Sequence, residues 1–225
     1  MLLNLDAGEG GKDEASLLPY ADLVNIACGG HAGDPAEMEE TLLCAAAAGV
    51  LAGAHPGYED REHFGRRSLG LAVGDAVDSI ARQIDAIKSI ASRKGIALWH
   101  VKLHGALYHD ADRCAELAAA FVDFLAQRHP GLRLIGPPGG ELQRAASTRG
   151  VEFLREGFAD RAYGADGKLL DRSLPGAVIM DPAVAVSQAL DLLDQVDTLC
   201  VHGDSPAAIR ILPALKEALR GDRRS

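Results

Sequence analysis

The stretch Trp99-His100-Val101-Lys102-Leu103-His104-Gly105 carries ionisable side chains at every second position. In a strand, alternate side chains share a face, so His100, Lys102 and His104 point one way and Val101 and Leu103 the other. Charges within an apolar strand are costly unless they are paired or used. The first apolar run repeats the pattern, with Asn4 and Asp6 set against Leu3 and Leu5. The last repeats it again, with Thr198, Cys200 and His202 set against Leu199 and Val201. Carboxylate, ammonium and imidazole groups gathered at one place suit general acid–base work and stabilisation of developing charge, the needs of a hydrolase.

More such residues follow the other apolar runs. Gly8 and Glu9 follow the first, and Cys28-Gly29-Gly30-His31-Ala32-Gly33-Asp34 follows the second. His55-Pro56-Gly57 and Phe64-Gly65-Arg66-Arg67 follow the third, Glu156, Asp160 and Arg161 the sixth, and His202-Gly203-Asp204 the seventh. Glycines beside histidines suit loops where backbone turns sharply or approaches a ligand. Each residue also has a plainer reading. His31 or His55 alone reads as a satisfied loop histidine, and Glu9 as a solvated carboxylate. Asp34 reads as a helix cap, with Asp204 a second candidate for that role. Cys28 and Cys200 read as buried thiols. His63, His109 and His129 sit among exposed-looking neighbours and receive no role. The joint placement favours a site, because several separate strand ends all supply ionisable groups.

The elements that must position these residues alternate along the chain. Seven apolar runs read as strands: 2–6, 23–27, 50–54, 98–102, 133–136, 151–155 and 198–201. Between them, Val77, Ile80, Ile84, Ile87 and Ala91 recur at helical spacing, as do Leu117, Phe121 and Phe124. Asp34-Pro35, Asp181-Pro182 and Ser205-Pro206 each place a capping residue before a proline, which marks helix starts. Steady alternation implies parallel strands joined by crossover helices. A doubly wound sheet and a closed barrel both fit. Seven strands with polar ends favour an α/β barrel, with the chemistry at the carboxyl ends of the strands. The segment from Phe158 to Ile179, with the turn signal Gly164-Ala165-Asp166-Gly167, reads as a hairpin-like excursion covering the site.

Length and charge narrow the classes further. The 225 residues fit one domain spanning 1–225, with no composition shift to mark a second. A formal net charge of -9 repels phosphate backbones, which excludes nucleic acid and anionic membrane as expected partners. The arginines between Arg220 and Ser225 read as a frayed end. The four cysteines form no C-x-x-C pair, and free thiols with no signal peptide point to the cytoplasm. Gly8-Glu9-Gly10-Gly11-Lys12 lacks the spacing and hydroxyl residue of a phosphate-binding P-loop and reads as a tight loop.

Six segments, in order, resemble motifs of the LamB/YcsF family. They are Asn4-Leu5-Asp6-Ala7-Gly8-Glu9, Asn25 through Pro35, Gly53-Ala54-His55-Pro56-Gly57, His100 through Tyr108, Phe158 through Tyr163, and Cys200-Val201-His202-Gly203-Asp204. The chain departs from the family's usual residues at Leu5, Gly30 and Leu103, and its loop after Glu9 looks shorter. The resemblance implies a seven-stranded, distorted, TIM-like β/α barrel similar to polysaccharide deacetylases. It also implies the A component of an ATP-dependent 5-oxoprolinase, working with subunits B and C to open the lactam 5-oxo-L-proline to L-glutamate. ATP would be a co-substrate of that complex.

For such chemistry Asp6 would be general base on water, or hold a metal or histidine that does so; Lys102 would neutralise the developing oxyanion or a phosphate; and His104 would be general acid for the leaving nitrogen. Asn4, Glu9, His31, His55 and His202 would line the pocket. Arg66 or Arg161 would grip a substrate carboxylate, with Asp160 orienting an arginine. Two other readings stand beside this one. A metal-dependent, deacetylase-like hydrolase of another small amide would bind a divalent cation through Asp6, His100 and His104, or through His31, His55 and His202. A non-catalytic component would only bind a small carboxylate.

Overall fold

The computed structural model describes residues 1–11 and 14–222. Lys12 of the glycine loop, and Arg223 and Arg224 of the basic tail, lie outside the described residues. Seven parallel strands close into a barrel in chain order. They are β1 (Leu2–Ala7), β2 (Leu23–Ala27), β3 (Leu51–His55), β4 (His100–Lys102), β5 (Arg133–Gly136), β6 (Phe153–Phe158) and β7 (Thr198–His202). Strand β1 pairs with both β2 and β7, so Asp6 stands opposite Asn25 on one side and His202 on the other. That pairing decides for the barrel over the open, doubly wound sheet.

The helices are α1 (Glu14–Leu17), α2 (Pro35–Ala48), α3 (Val73–Arg93), α4 (Gly105–Arg113), α5 (Ala115–Arg128), α6 (Glu141–Arg149), α7 (Pro182–Leu192) and α8 (Ala208–Asp222). Asp34 caps α2 by accepting from the Ala36 and Glu37 amides at 2.8 and 2.9 Å. Asp181 accepts from the Ala183 amide ahead of α7 at 2.8 Å. Ser205 Oγ accepts from the Ala207 amide at 3.3 Å. Asp204, the other candidate at that helix start, is turned instead toward two arginines. Helix α3 buries Ile80, Ile84, Ile87 and Ala91 against the barrel. Each buried isoleucine contributes about 1.5–3 kcal/mol. Among the described residues, no helix is long and apolar enough to cross a membrane.

Three strands begin later than the apolar runs suggest, and at two of them, β3 and β6, a helix-closing bond accounts for it. Gly49, Gly95 and Gly150 follow helices with φ of 71°, 69° and 68°. The residue after each then bonds back into its helix: Val50 to Ala45 O at 2.9 Å, Ile96 to Ala91 O at 2.9 Å, Val151 to Ala146 O at 3.0 Å. Val50 and Val151, which opened two of the expected runs, thus close helix ends as Ile96 does. The shift puts His55 and Glu156 inside strands, where the apolar runs had left them on loops.

Alternation sends one side of every strand to the helices and the other into the barrel. Leu3, Leu5, Val24, Ile26, Val101, Leu199 and Val201 join the main core between barrel and helices. Leu23, Ile135 and Leu154, with Leu2 and Trp99 against them, form a separate apolar plug. Above the plug the inward-facing residues turn polar, and toward the carboxyl ends they become charged. The excursion after β6 is a hairpin held by antiparallel bridges Arg161–Val178 and Tyr163–Leu169.

Candidate active site

The lower polar layer is a closed amide network. Asn4 Nδ2 donates to Thr198 Oγ1 at 2.9 Å. Asn25 Nδ2 donates to Asn4 Oδ1 and Asp6 Oδ1, both at 2.7 Å. With its amide hydrogens so used, Asn25 must accept through Oδ1. His100 Nε2 therefore carries the hydrogen in their 2.6 Å contact. His100 Nδ1 is left buried without a partner among the described residues. Burial first, then the Lys102 charge, pushes the His100 imidazole down to about 3, so the ring is neutral.

One layer up, Lys102 Nζ lies 2.9 Å from Asp6 Oδ1, 2.9 Å from Glu156 Oε1 and 3.1 Å from Cys200 Sγ. Burial alone would push the Asp6 carboxyl up. Lys102, then His55 and His202, outweigh it and hold Asp6 well below the usual carboxylate range. Burial likewise works against the Lys102 charge, and the Asp6 and Glu156 carboxylates more than compensate, raising it. Asp6 and Lys102 are thus a fixed ion pair. Burial raises the Cys200 and Cys28 thiols, Cys28 to about 12, so both behave as the inert buried thiols that the sequence suggested.

At the mouth, three imidazoles converge on Glu9. Its Oε1 lies 3.0 Å from His31 Nε2, 3.4 Å from His104 Nδ1 and 3.9 Å from His55 Nε2. The Glu9 side chain is only 3% exposed, which removes its reading as a solvated carboxylate. His31 and His104 stack at 3.5 Å with 4° between planes. Gly65 makes room for that pair. Its φ is 61°, and a Cβ there would lie 2.8 Å from His31 Cβ. Burial, then neighbouring imidazoles, pushes His31 and His104 well down. Burial, then Asp6, pushes Glu9 well up.

Backbone carbonyls fix two of these tautomers. His55 Nδ1 faces Lys102 O at 2.8 Å, and His104 Nε2 faces Phe64 O at 2.9 Å. A carbonyl only accepts, so each of those nitrogens donates. The neutral His104 ring is then left with a bare lone pair on Nδ1, which faces His55 Nε2 at 3.0 Å. Two imidazole nitrogens turned on each other beside the Glu9 carboxyl suit a shared cation. Metal-binding histidines characteristically donate their other N–H to a carbonyl or carboxylate in this way. Glu9, His31, His55 and His104 offer one ligand atom each, all within 4.8 Å of one another. A second such group is Asp6, Cys200 and His202.

Both cation sets suggested by the sequence are rearranged. His100 lies a layer below, bonded to Asn25, and does not join Asp6 and His104. His202 does not join His31 and His55, whose set is completed by Glu9 and His104. His202 is held by Asp160, which accepts from its amide at 2.9 Å and faces its Nδ1 at 3.0 Å. Its Nε2 is 4.0 Å from Asp6 Oδ2. Asp160 was expected to orient an arginine, and it orients a histidine instead.

Arg161 turns to the excursion, where Nε donates to Ala177 O at 3.3 Å and Nη2 to Leu170 O at 2.6 Å. Arg66 stands at the mouth, 4.7 Å above the Phe64 ring. Among the histidines given no role, His129 is buried against Lys88 on the helical shell, not exposed. Sequence reasoning gave no role to Asn25 or Glu156. The alternation that singled out Asp6 also picks Asn25 in β2, and Glu156 needed the later start of β6.

The sequence profile of the LamB/YcsF family matches residues 1–224. The chain is 41% identical over 236 residues to a Nocardia farcinica protein named as the A component of 5-oxoprolinase, covering 96% of this chain and 94% of the relative. It superposes on the lactam utilization protein of Thermus thermophilus with a TM-score of 0.90 at 35% identity, over 99% of this chain and 97% of that one. A family 4 carbohydrate esterase from Streptomyces lividans shares the fold alone, with a TM-score of 0.57 at 13% identity over 99% and 88% of the two chains. That likeness agrees with the deacetylase-like barrel expected from the sequence. A match across nearly the whole chain, with relatives of this identity, means that the chain belongs to the LamB/YcsF family.

Proposed function

We propose that this chain is the A component of a 5-oxoprolinase, a hydrolase that opens 5-oxo-L-proline to L-glutamate in complex with subunits B and C. ATP is the co-substrate of the assembled complex in this reading, and the complex works in the cytoplasm. One observation carries the reading. An ionised carboxylate, Asp6, sits between a buried ammonium and two imidazoles at the open end of the barrel, with Lys102 at 2.9 Å, His55 at 3.5 Å and His202 at 4.0 Å.

A lactam is a stable amide, so its opening needs an activated water, a stabilised oxyanion and a proton for the leaving nitrogen. Asp6 accepts the proton of the attacking water, and Lys102 both holds Asp6 ionised and supplies positive charge beneath the reacting carbonyl. His104 is poorly suited to be the acid, because its N–H is spent on Phe64 O. His202 suits that role better. Asp160 fixes its Nδ1, its Nε2 faces the pocket, and its side chain is the most open of the site imidazoles at 14%. Asn4 and Asn25 keep Asp6 in place from below.

The deacetylase-like reading contributes one element that the geometry favours. Glu9, His31, His55 and His104 fit a divalent cation, because backbone carbonyls hold two of the rings with their second nitrogens turned on one point. Such an ion lowers the pKa of a bound water and polarises a carbonyl. The test is 5-oxoproline-dependent glutamate release by the reconstituted complex. Asp6→Asn and His202→Asn should each lose at least about 100-fold in kcat while remaining folded. Full turnover in either would remove it from the scheme. No turnover by the wild-type complex would remove the reading.

A further inference from the structure

Asp204 Oδ2 accepts from two guanidinium groups, Arg66 Nη2 at 2.5 Å and Arg172 Nη1 at 3.1 Å. The three residues come from three loops: Arg66 after β3, Arg172 from the excursion, Asp204 after β7. Two cations on one carboxylate leave the mouth with an excess positive charge. All three side chains stay partly open to solvent, at 39%, 24% and 28%. Arg66 also lies 4.7 Å over Phe64, whose ring is 5.5 Å from both His31 and His104. A carboxylate held by these arginines would therefore sit one ring away from the imidazole cluster. The charges of Asp204 and Arg66 are both felt at Glu9.

We propose that Arg66 and Arg172 form the subsite for the substrate's carboxylate, and that Asp204 fills it until the substrate displaces it. Arginine's planar fork matches a carboxylate, and two forks on one oxygen leave N–H groups free for the second oxygen of an incoming acid. The displaced Asp204 would swing to solvent, which it already partly faces. The assignment rests on the lactam-acid reading above and names the residue, Arg172, that would share the selection with Arg66.

The test compares 5-oxoproline with 2-pyrrolidinone, the same lactam without its carboxylate, in the reconstituted complex. For 5-oxoproline the readout is KM; for 2-pyrrolidinone it is the inhibition constant. Arg172→Ala should raise the 5-oxoproline KM about tenfold, as for the loss of one charge-assisted bond, and leave 2-pyrrolidinone binding nearly unchanged. Arg172→Lys should restore part of the loss. Asp204→Asn should lower the 5-oxoproline KM, because the internal competitor is gone. Equal weakening of both ligands in Arg172→Ala would mean that the arginine only latches the excursion, and would overturn the proposal. Unchanged selectivity for the acid would overturn it too, and a higher KM in Asp204→Asn would refute the displacement. A wild-type complex that ignores 5-oxoproline would instead remove the lactam reading itself, and this subsite with it.

Discussion

Lys102 Nζ lies 2.9 Å from Glu156 Oε1 with both side chains closed from solvent, so Glu156 is a second carboxylate on an ammonium already paired with Asp6. Removing one partner of a buried ion pair strands a charge that has no route to water. Lys102→Met should therefore destabilise the protein by about 3–5 kcal/mol, measured by denaturant unfolding. Glu156→Gln removes the charge and keeps the shape. It should cost less stability, because Lys102 keeps Asp6. A Lys102→Met protein as stable as wild type would mean that the three charges are not coupled as the distances indicate.

His100 makes stability depend on pH in a defined direction. Its folded-state value of about 3 lies below the ordinary 6.5, because burial and then Lys102 oppose its charge. Between those values the unfolded chain binds a proton that the folded chain refuses. The stability from this group is complete above 6.5 and is lost as pH falls toward 3, at up to about 1.4 kcal/mol per pH unit. Unfolding free energies measured from pH 7 down to pH 4 should fall less steeply in His100→Gln than in wild type. Parallel curves would show that His100 is not held neutral.

Much of this site was legible in the sequence because strand alternation is strict. Asn4, Asp6, His100, Lys102 and His202 all face inward as the period of two requires. Charges along an apolar strand stood out for the same reason. What escaped notice depended on longer-range facts. Glu156 was assigned to a loop because Val151, an apolar residue, bonds back to Ala146 and closes a helix. The roles of His104 and Asp160 depended on their partners. Phe64 O takes the His104 hydrogen, and His202 takes Asp160, contacts that span 40 and 42 residues of sequence. The excursion was visible as a turn signal, but not the direction in which Arg161 would point.

Gly53 and His100 should prove energetically coupled. A Cβ at Gly53 would lie 2.3 Å from His100 Nε2 and 2.4 Å from two ring carbons. The ring cannot retreat, because Asn25 holds Nε2 at 2.6 Å inside a closed barrel. Gly53→Ala should cost about 1–3 kcal/mol, the usual penalty of overpacking. Most of that should vanish when His100→Ala removes the ring, so the double variant should be more stable than the sum of the singles predicts. Strict additivity in that cycle would deny the contact.

The imidazole cluster makes a prediction that needs no activity. Glu9, His31, His55 and His104 present ligand atoms within 4.8 Å of one another, and imidazole nitrogens suit zinc. A ligand that binds only the folded chain stabilises it, by about 2.7 kcal/mol at a hundred times its Kd. Protein stripped with chelator should therefore melt at a lower temperature, and added zinc sulfate should raise the melting point again. His55→Ala removes one of the two facing imidazole nitrogens and should abolish most of that rise. Its Nδ1 bond to Lys102 O is lost as well, so the variant's own melting point without metal is the baseline for comparison. His129→Ala, on the helical shell, should leave the zinc response intact. A zinc-induced rise of equal size in wild type and His55→Ala would place the ion elsewhere, and no rise in wild type would leave the facing nitrogens to a shared proton.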